Sequence, residues 1–410
     1  MVEGACSLGG ASAALRLMRD HLPGVLSAPT DDCGQMWLLR VGLYEVSRPK
    51  EKTHDRVWIV DHTIQIGVTK CLLIVSVRSS WWQNELRPLK HQDLEFLALE
   101  PMNSSTGEAV QQHLERTAAE VGVPQSIVSD HGADVRRGIA GFQENHAETR
   151  STYDIAHKMA ILVKKQLTRD ARWATYLTNF GTARHRLQQT SLAALTPPTP
   201  KKKARYMNLE ILVRWGTKML AYLDHPHPLN EDEPDLEQLN NKLGWLREYR
   251  EALTEWDAVI RVVATTLQYI RAQGYHRGAV SVLKPQLESQ VKGEISRELV
   301  ADTLAFVDEQ ASDAKQNEHL IGSSEVLESI IGRGKRMEQQ QSKSGFTRMV
   351  LAMAATVVEP TMHVLELALS TVNTRAVHAW CRNHLGTSVQ SQRRRALTPL
   401  PTPAGGTETG

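Results

Sequence analysis

The stretch RVWIVDHTIQIG, residues 56–67, decides the fold. Its apolar run Val57–Val60 is typical of a β-strand that is buried on both faces. Asp61 follows this run directly, and more strand-like sequence, TIQI, comes soon after it. Removing a carboxylate from water costs free energy unless something compensates its charge. The stretch therefore predicts a buried strand in which the side chain of Asp61 has a specific partner.

Composition excludes several classes of protein. The chain has 410 residues, 41% hydrophobic and 23% charged, which predicts a globular protein of two or three domains. The four cysteines form no C-x-x-C pair, which argues against a zinc ribbon or a disulfide framework and favours a reducing cytoplasm. No apolar run approaches the roughly 18 residues of a membrane span. The net charge is only +2, so affinity for nucleic acid would depend on local clusters of charge.

Residues 1–50 predict a short N-terminal helical segment. GASAALRLMRDHL is amphipathic, and a second run opens with Thr30-Asp31-Asp32, a typical helix start. Two short helices before an α/β region are compatible with a partial helix-turn-helix unit that binds DNA. The alternative, a helical pair that packs on the next domain, stays open. Because the N-terminus starts abruptly, we expect part of a DNA-binding domain to be missing from it.

Residues 51–175 predict the first part of an α/β core. RVWIVDHTIQIG and KCLLIVSVRSS are two strands with a tight connection, typical of an antiparallel hairpin, and Trp81-Trp82 closes the second strand. A third strand, LEFLALEPM, and a helix, TGEAVQQHLERTAAEVG, come next. PQSIVSDHGADV holds a fourth strand, SIVS, and TYDIAHKMAILVKKQL is a further helix. This order predicts a ribonuclease-H-like mixed sheet flanked by helices.

Strand signals then vanish. Residues 176–322 predict a large all-helical insertion, residues 323–386 the final helical part of the core, and residues 387–410 a Pro- and Gly-rich disordered tail. One helical stripe is expected to lie in the core of the insertion; it consists of Trp245, Leu246, Tyr249, Leu253 and Trp256.

Two carboxylates mark one edge of the predicted sheet. Asp61 lies in the first strand, and Asp130 lies just past the C-terminal end of the fourth. In a ribonuclease-H-like sheet these strands are neighbours, so both side chains are close enough to share a metal ion. Two bare carboxylates at that distance repel each other, whereas Mg²⁺, or Mn²⁺, suits their hard oxygen atoms. The alternatives are an ion pair for Asp61 and a turn or capping role for Asp130 before Gly132.

A third carboxylate is expected on the helix predicted in SSEVLESIIGRGKRMEQQ. Glu325 and Glu328 lie three residues apart and share a face, and Lys335 lies two turns beyond Glu328 on that face. Arg333 and Arg336 add to a positive patch that suits a nucleic-acid backbone. A solvated surface glutamate is the alternative, and the choice between the two glutamates stays open.

The patch predicted on this helix continues along the chain. Lys343 and Arg348 extend it, and the run KKKAR at 201–205 adds basic residues elsewhere. Gly332-Arg333-Gly334-Lys335 lacks the remaining residues of a nucleotide-binding phosphate loop, so no nucleotide site is predicted there.

The segments IVDHTIQIG, VSDHG, YDIAHK and SSEVLESIIGRGK with EQQQSKSGFT resemble a bacterial insertion-sequence transposase of the DDE type. The resemblance implies a ribonuclease-H-like catalytic domain whose metal-binding, catalytic triad is Asp61, Asp130 and Glu328. The family's glutamate-then-lysine spacing is met by Glu328 and Lys335. Two upstream signature positions depart from the family, because Leu320 stands for tyrosine and Ser324 for arginine.

The resemblance also implies a function. It implies two-metal phosphodiester hydrolysis at the ends of a mobile element, followed by strand transfer into target DNA. The partners implied are double-stranded DNA, both terminal repeats and target, and a second copy of the chain in a homodimer. The location implied is the bacterial cytoplasm, at the nucleoid when bound to DNA. A nuclease without strand transfer and an inactive DNA-binding derivative are the alternatives.

Two residues outside the triad are candidates for contact with DNA. His157 and Lys158 follow Asp154 at helical spacing, which predicts either a local ion pair or a supporting role near the metals. His62 is expected on the opposite sheet face from Asp61 because side chains alternate along a strand.

Overall fold

The chain divides into two units in a computed structural model. Unit 1 comprises Met1–Trp81, Leu89–Arg150 and Ser324–Gly410, and unit 2 comprises Trp82–Pro88 and Ser151–Ser323. The structure describes residues 6–21, 27–66, 69–201, 205–228, 235–339, 348–385, 393–394 and 396–398. No helix in these ranges is long and apolar enough to cross a membrane.

The sheet is mixed and has five strands in the order β3-β2-β1-β4-β5. Its strands are β1 (Val57–Ile66), β2 (Thr69–Val77), β3 (Glu95–Met102), β4 (Ser126–Ser129) and β5 (Arg150–Tyr153). β2 is antiparallel to both β1 and β3, whereas β4 runs parallel to β1. The predicted hairpin and the predicted neighbourhood of the first and fourth strands are therefore confirmed.

Helices make up most of the remaining described residues. In chain order they are α1 (Leu8–His21), α2 (Asp31–Ser47), α3 (Ser79–Glu85), α4 (Gly107–Val121), α5 (Ala133–Asn145), α6 (Ile155–Arg169), α7 (Ala171–Leu187), α8 (Leu209–Asp224), α9 (Leu236–Leu243), α10 (Arg250–Gln273), α11 (Ala279–Glu288), α12 (Glu294–Ser312), α13 (Glu325–Gln339), α14 (Leu351–Ala354), α15 (Met362–Thr371) and α16 (Thr374–Leu385).

Local side-chain bonds explain why some of these helices begin where they do. The hydroxyl of Thr30 accepts a hydrogen bond from the backbone N–H of Cys33, which caps α2 at the predicted start. Asp154 caps α6 in the same way, since its carboxylate accepts from the N–H of His157 at 2.8 Å. Thr106 caps α4 by accepting from the N–H of Ala109. Each cap satisfies a backbone donor that the helix itself leaves without a partner.

The two faces of the sheet in unit 1 bury different helices. Trp58 and Val60 of β1 lie in one apolar cluster with Val110 of α4 and Phe142 of α5. The residues that alternate with them, such as Ile59, are also fully buried but lie outside that cluster. Because side chains alternate along a strand, these residues point to the opposite face. Helix α13 packs against β1, and α14 packs against α2, α13 and β3.

Unit 2 is helical apart from its share of β5 and a single bridge between Tyr275 and Leu320, as far as its residues are described. The predicted core stripe is confirmed, since Leu246, Tyr249, Leu253 and Trp256 are buried and Trp245 is partly buried against them. Aromatic rings fill this core: the centroids of Trp173 and Trp256 lie 4.9 Å apart, edge to face.

Three elements differ from the sequence prediction. Trp81-Trp82 does not close a strand but lies in α3, where the indole N–H of Trp82 donates to the carbonyl oxygen of Arg87 at 3.0 Å. Helix α5 and strand β5 were not predicted. The limits between the two units of the chain lie after Arg150 and after Ser323. The predicted domain limits at 175 and 322 stay predictions.

Some predictions fall outside the described residues. These are the positive residue Lys343, Lys202–Ala204 within the KKKAR run, and most of the predicted tail, of which only residues 393–394 and 396–398 are described. The described helices agree with a helical final part over 323–386, in α13 to α16.

The close packing of α2 on α14 depends on Gly42. A Cβ atom at this position would overlap the backbone carbonyl oxygen of Leu351, which no side-chain rotation can move. We expect Gly42→Ala to lower the free energy of unfolding by about 1–3 kcal/mol, measured by urea denaturation. Gly181→Ala in α7 is the matched control, because a Cβ there meets nothing within 4 Å. It is expected to stabilise by about 0.5–1 kcal/mol; equal effects of the two variants would contradict this account.

Candidate active site

The register of the sheet brings Asp61 and Asp130 to neighbouring positions. Val60 of β1 pairs with Ser129 of β4 in parallel, and the two aspartates are the next residues of their chains. Neighbouring strands lie about 4.8 Å apart. The two aspartates therefore directly follow paired residues of adjacent strands. Both residues are half-buried.

Alternation along β1 assigns the Asp61 carboxylate to one face of the sheet. Val60 points toward α4 and α5, so Asp61 belongs to the opposite face of β1. On this face α13 packs against β1. The helix that carries the third predicted carboxylate thus lies against the strand that carries the first.

Backbone donors hold both aspartates. One carboxylate oxygen of Asp61 accepts from the N–H of His62 at 2.6 Å, and one of Asp130 accepts from the N–H of Gly132 at 2.8 Å. His131, which lies between Asp130 and Gly132, has a φ of 55°, a left-handed conformation that is uncommon in residues other than glycine. Non-glycine residues in this conformation cluster at functional sites. Asp130 therefore makes the turn contact that the sequence offered as an alternative, and this contact leaves its second oxygen for other bonds.

The loop after β4 leads directly into α5. The N-cap of that helix is Gly132, and Asp134 lies in its first turn. There it accepts a hydrogen bond from Lys70 at 3.0 Å, which lowers the pKa of its carboxyl group. A lysine at the start of β2 is thus paired with Asp134.

His62 lies on the other face of β1 from Asp61, as predicted. Its Nε2 atom is 3.0 Å from the hydroxyl oxygen of Ser105, just before α4. Burial, and then the nearby charge of Lys70, lowers the pKa of His62. The side chain of His62 therefore contacts the loop before α4 through Ser105.

Helix α13 presents both candidate glutamates. Glu325 and Glu328 lie in its first turn and are half-buried, while Leu327 and Ile330 are fully buried. Close packing against α14 depends on Gly334, where a Cβ would overlap the side chain of Met353. This contact gives the Gly-Arg-Gly-Lys stretch a packing role.

The predicted DNA-contacting cations lie in both units. In unit 1, Lys335 and Arg336 are exposed on α13, and Arg333 is half-buried. In unit 2, the ammonium group of Lys158 lies 4.6 Å from the ring centroid of Phe306, a cation–π contact. The backbone of His157 is used by the Asp154 cap, and its ring lies edge-on to Tyr153.

One contact of α13 has no signal in the amino-acid sequence. Nε2 of His91, in a short 3-10 turn (His91–Asp93), lies 3.1 Å from the hydroxyl oxygen of Ser329. Burial and the charge of Arg333 lower the pKa of His91 to about 4. The two residues are 238 positions apart, too far for any local pattern to connect them.

The donor set suits a hard divalent cation only in part. Asp61, within β1, and Asp130, just past the end of β4, supply carboxylate oxygens, which are the ligand type that Mg²⁺ prefers. Among the described residues, no group of three or more His, Cys, Asp and Glu side chains is placed to hold a metal ion. The convergence of Glu328 with the two aspartates stays a prediction.

The chain is similar in structure to known proteins, although its sequence matches no family model and no curated protein. The solved Drosophila P element transposase strand transfer complex is similar with 9% sequence identity, over 88% of this chain and 93% of that chain, at a TM-score of 0.38. A TM-score this low carries no argument about the fold or function of this chain.

The buried, neutral ring of His91 makes the stability of the protein depend on pH. In the unfolded chain a histidine has a pKa of about 6.5. As the pH falls from about 6.5 toward 4, the unfolded state takes up a proton that the folded state excludes, so the folded state loses stability. We expect the urea midpoint of His91→Phe to fall less over this range than that of the wild type. Parallel midpoint curves for the two proteins would contradict this.

Proposed function

We propose that this protein is a metal-dependent DNA transposase of the DDE type, built on a ribonuclease-H-like core. The observation that carries the proposal is the parallel register of β1 and β4, which sets Asp61 and Asp130 at neighbouring positions. The contact of α13 with β1 supports Glu328 as the third acid. The strand order, with a parallel neighbour on one side of β1 and an antiparallel hairpin on the other, supports the core assignment.

The three carboxylates would hold Mg²⁺ or Mn²⁺. When bound, such ions supply Lewis acidity for in-line displacement at a phosphodiester. The chain's own contribution is to fix the ligands: the N–H groups of His62 and Gly132 orient one oxygen of each aspartate. Lys70 engages Asp134, which keeps that neighbouring carboxylate out of the acidic pair.

The substrate of the proposed reaction is double-stranded DNA, first the element's terminal repeats and then the target. The exposed Lys335 and Arg336, with Arg333 between them and Glu328, lie on the helix that carries the third acid. Such cations attract backbone phosphates irrespective of base sequence. Joining two element ends to one target favours a homodimer on DNA, at the nucleoid of a bacterial cytoplasm.

Two isosteric variants test the acidic pair. Asp61→Asn and Asp130→Asn keep the shape of each side chain but remove its charge, and therefore its hold on a divalent ion. We expect each to reduce nicking of supercoiled plasmid in Mn²⁺ by more than the roughly 10–100-fold typical of residues that only support a ligand. Asp257→Asn, in an exposed pair with Arg261 on α10, is the matched control and should retain activity.

The same assay separates the proposal from its rivals. A transposase joins an oligonucleotide with a free 3′-hydroxyl to the plasmid, and the joined product disappears in Asp61→Asn. Nicking without any joined product would identify a nuclease. Equal behaviour of wild type and Asp61→Asn would refute metal-dependent catalysis at this site.

A matched pair on α13 identifies the third acid. Glu325→Gln and Glu328→Gln are the same substitution, one turn apart on one helix. We expect Glu328→Gln to abolish Mn²⁺-dependent nicking and Glu325→Gln to change it less than about tenfold, as for a group outside the ligand set. The reverse result would assign the role to Glu325.

A further inference from the structure

One hydrogen bond ties the start of α13 to a distant part of unit 1. Nε2 of His91 lies 3.1 Å from the hydroxyl oxygen of Ser329, and His91 is only 7% exposed. Ser329 directly follows Glu328. Whatever fixes Ser329 therefore also fixes the backbone from which the Glu328 side chain extends.

The two partners lie close to the points where the chain passes into unit 1. The chain re-enters that unit at Leu89, two residues before His91, and again at Ser324, one residue before α13 begins. All residues between Ser151 and Ser323 belong to unit 2. The bond thus joins two segments that arrive in unit 1 separately.

The element that carries His91 is itself well held. The side chain of Asp93 accepts from the N–H of Lys90 at 2.7 Å, and the N–H of Leu94 donates to the carbonyl oxygen of His91 at 3.2 Å. Strand β3 follows at Glu95, whose carboxylate accepts from the buried Arg56. His91 is therefore a fixed point on the sheet side of the contact.

The ring acts as an uncharged partner near neutral pH, because burial and Arg333 disfavour its protonation. Its other nitrogen, Nδ1, is buried with no hydrogen-bond partner in the structure. The polar contact of this side chain is thus concentrated on Ser329. A buried polar ring that makes one long-range bond is better explained by what it fixes than by its net stabilisation, which for one hydrogen bond is about 1 kcal/mol.

We propose that His91 is a positioning residue, which sets the first turn of α13 through Ser329 and thereby places the Glu328 carboxylate. This rests on the proposed function, in which Glu328 is the third acid. His91 itself touches neither metal nor DNA. Its effect is expected on the affinity for the metal ion and on the chemical step, and not on the binding of DNA.

Three variants test the contact. His91→Phe keeps a flat ring without nitrogen, Ser329→Ala removes the hydroxyl, and His91→Gln retains a polar group able to reach Ser329. We expect His91→Phe and Ser329→Ala each to slow nicking by about 10–100-fold and to raise the half-saturating Mn²⁺ concentration by about tenfold, with the Kd for DNA unchanged. His91→Gln should restore most of the nicking rate and most of the Mn²⁺ dependence. The double variant His91→Phe/Ser329→Ala should nick DNA no more slowly than His91→Phe alone.

A control in unit 2 separates positioning from lost stability. Gln83 and His319 exchange two hydrogen bonds across 236 positions, so Gln83→Ala removes a comparable long-range contact that does not involve α13. It should lower the urea midpoint without changing the half-saturating Mn²⁺ concentration. A change in Mn²⁺ dependence as large as that of His91→Phe would overturn the proposal.

Two readouts do not require turnover. Mn²⁺ affinity measured by electron paramagnetic resonance should weaken in His91→Phe and Ser329→Ala, and their effects on the urea midpoint should be non-additive. Additive midpoint shifts with unchanged Mn²⁺ affinity would overturn the positioning role. Failure of the proposed function itself would give a different result, because wild type and Asp61→Asn would then bind Mn²⁺ equally.

Discussion

The parallel pairing of β1 with β4 is the constraint on which the rest of unit 1 depends. It fixes which residues of two separate segments face each other, so that Asp61 and Asp130 become neighbours although 69 positions separate them. A shift of one residue would turn one carboxylate to the other face of the sheet. The apolar residues before each aspartate hold this register, because Val60 and Ile127 are buried in the cluster formed with α4 and α5.

Close contacts at glycines hold the helices on both faces. Gly138 in α5 allows contact with Val110 of α4, Gly42 in α2 with Leu351, and Gly334 in α13 with Met353. Glycine lowers helix stability by up to about 1 kcal/mol relative to alanine. In this protein the loss allows helix axes to approach closely, and the same approach fixes the position of α13 against β1.

The sequence predicts those elements whose signal is local. The apolar run before Asp61 and the run SIVS before Asp130 each predicted a strand correctly, down to the bounds of β4. Strand β5 was missed because RSTY is short and mostly polar, and α5 because Gly138 and Gly141 weaken its helical pattern. Trp81-Trp82 was predicted to close β2, although Arg78, Ser79 and Ser80 separate it from Val77, and this hid the start of α3.

The same distinction, between residues with a local signal and residues without one, applies to the candidate site. Asp61 and Asp130 follow readable strands, so their neighbourhood could be derived from the order of elements. The contact of His91 with Ser329 has no local signal, because it depends on how two segments 238 positions apart meet after folding.

The discontinuity of unit 1 also has a consequence during synthesis on the ribosome. The nascent chain makes both aspartates before α13, which packs against β1 and emerges only after all of unit 2. Until α13 has emerged, the apolar residues of β1 beneath it lack their cover, and the proposed nuclease chemistry lacks its third acid. A premature stop codon anywhere in unit 2 would therefore yield a fragment with an incomplete fold that is also unable to cut DNA.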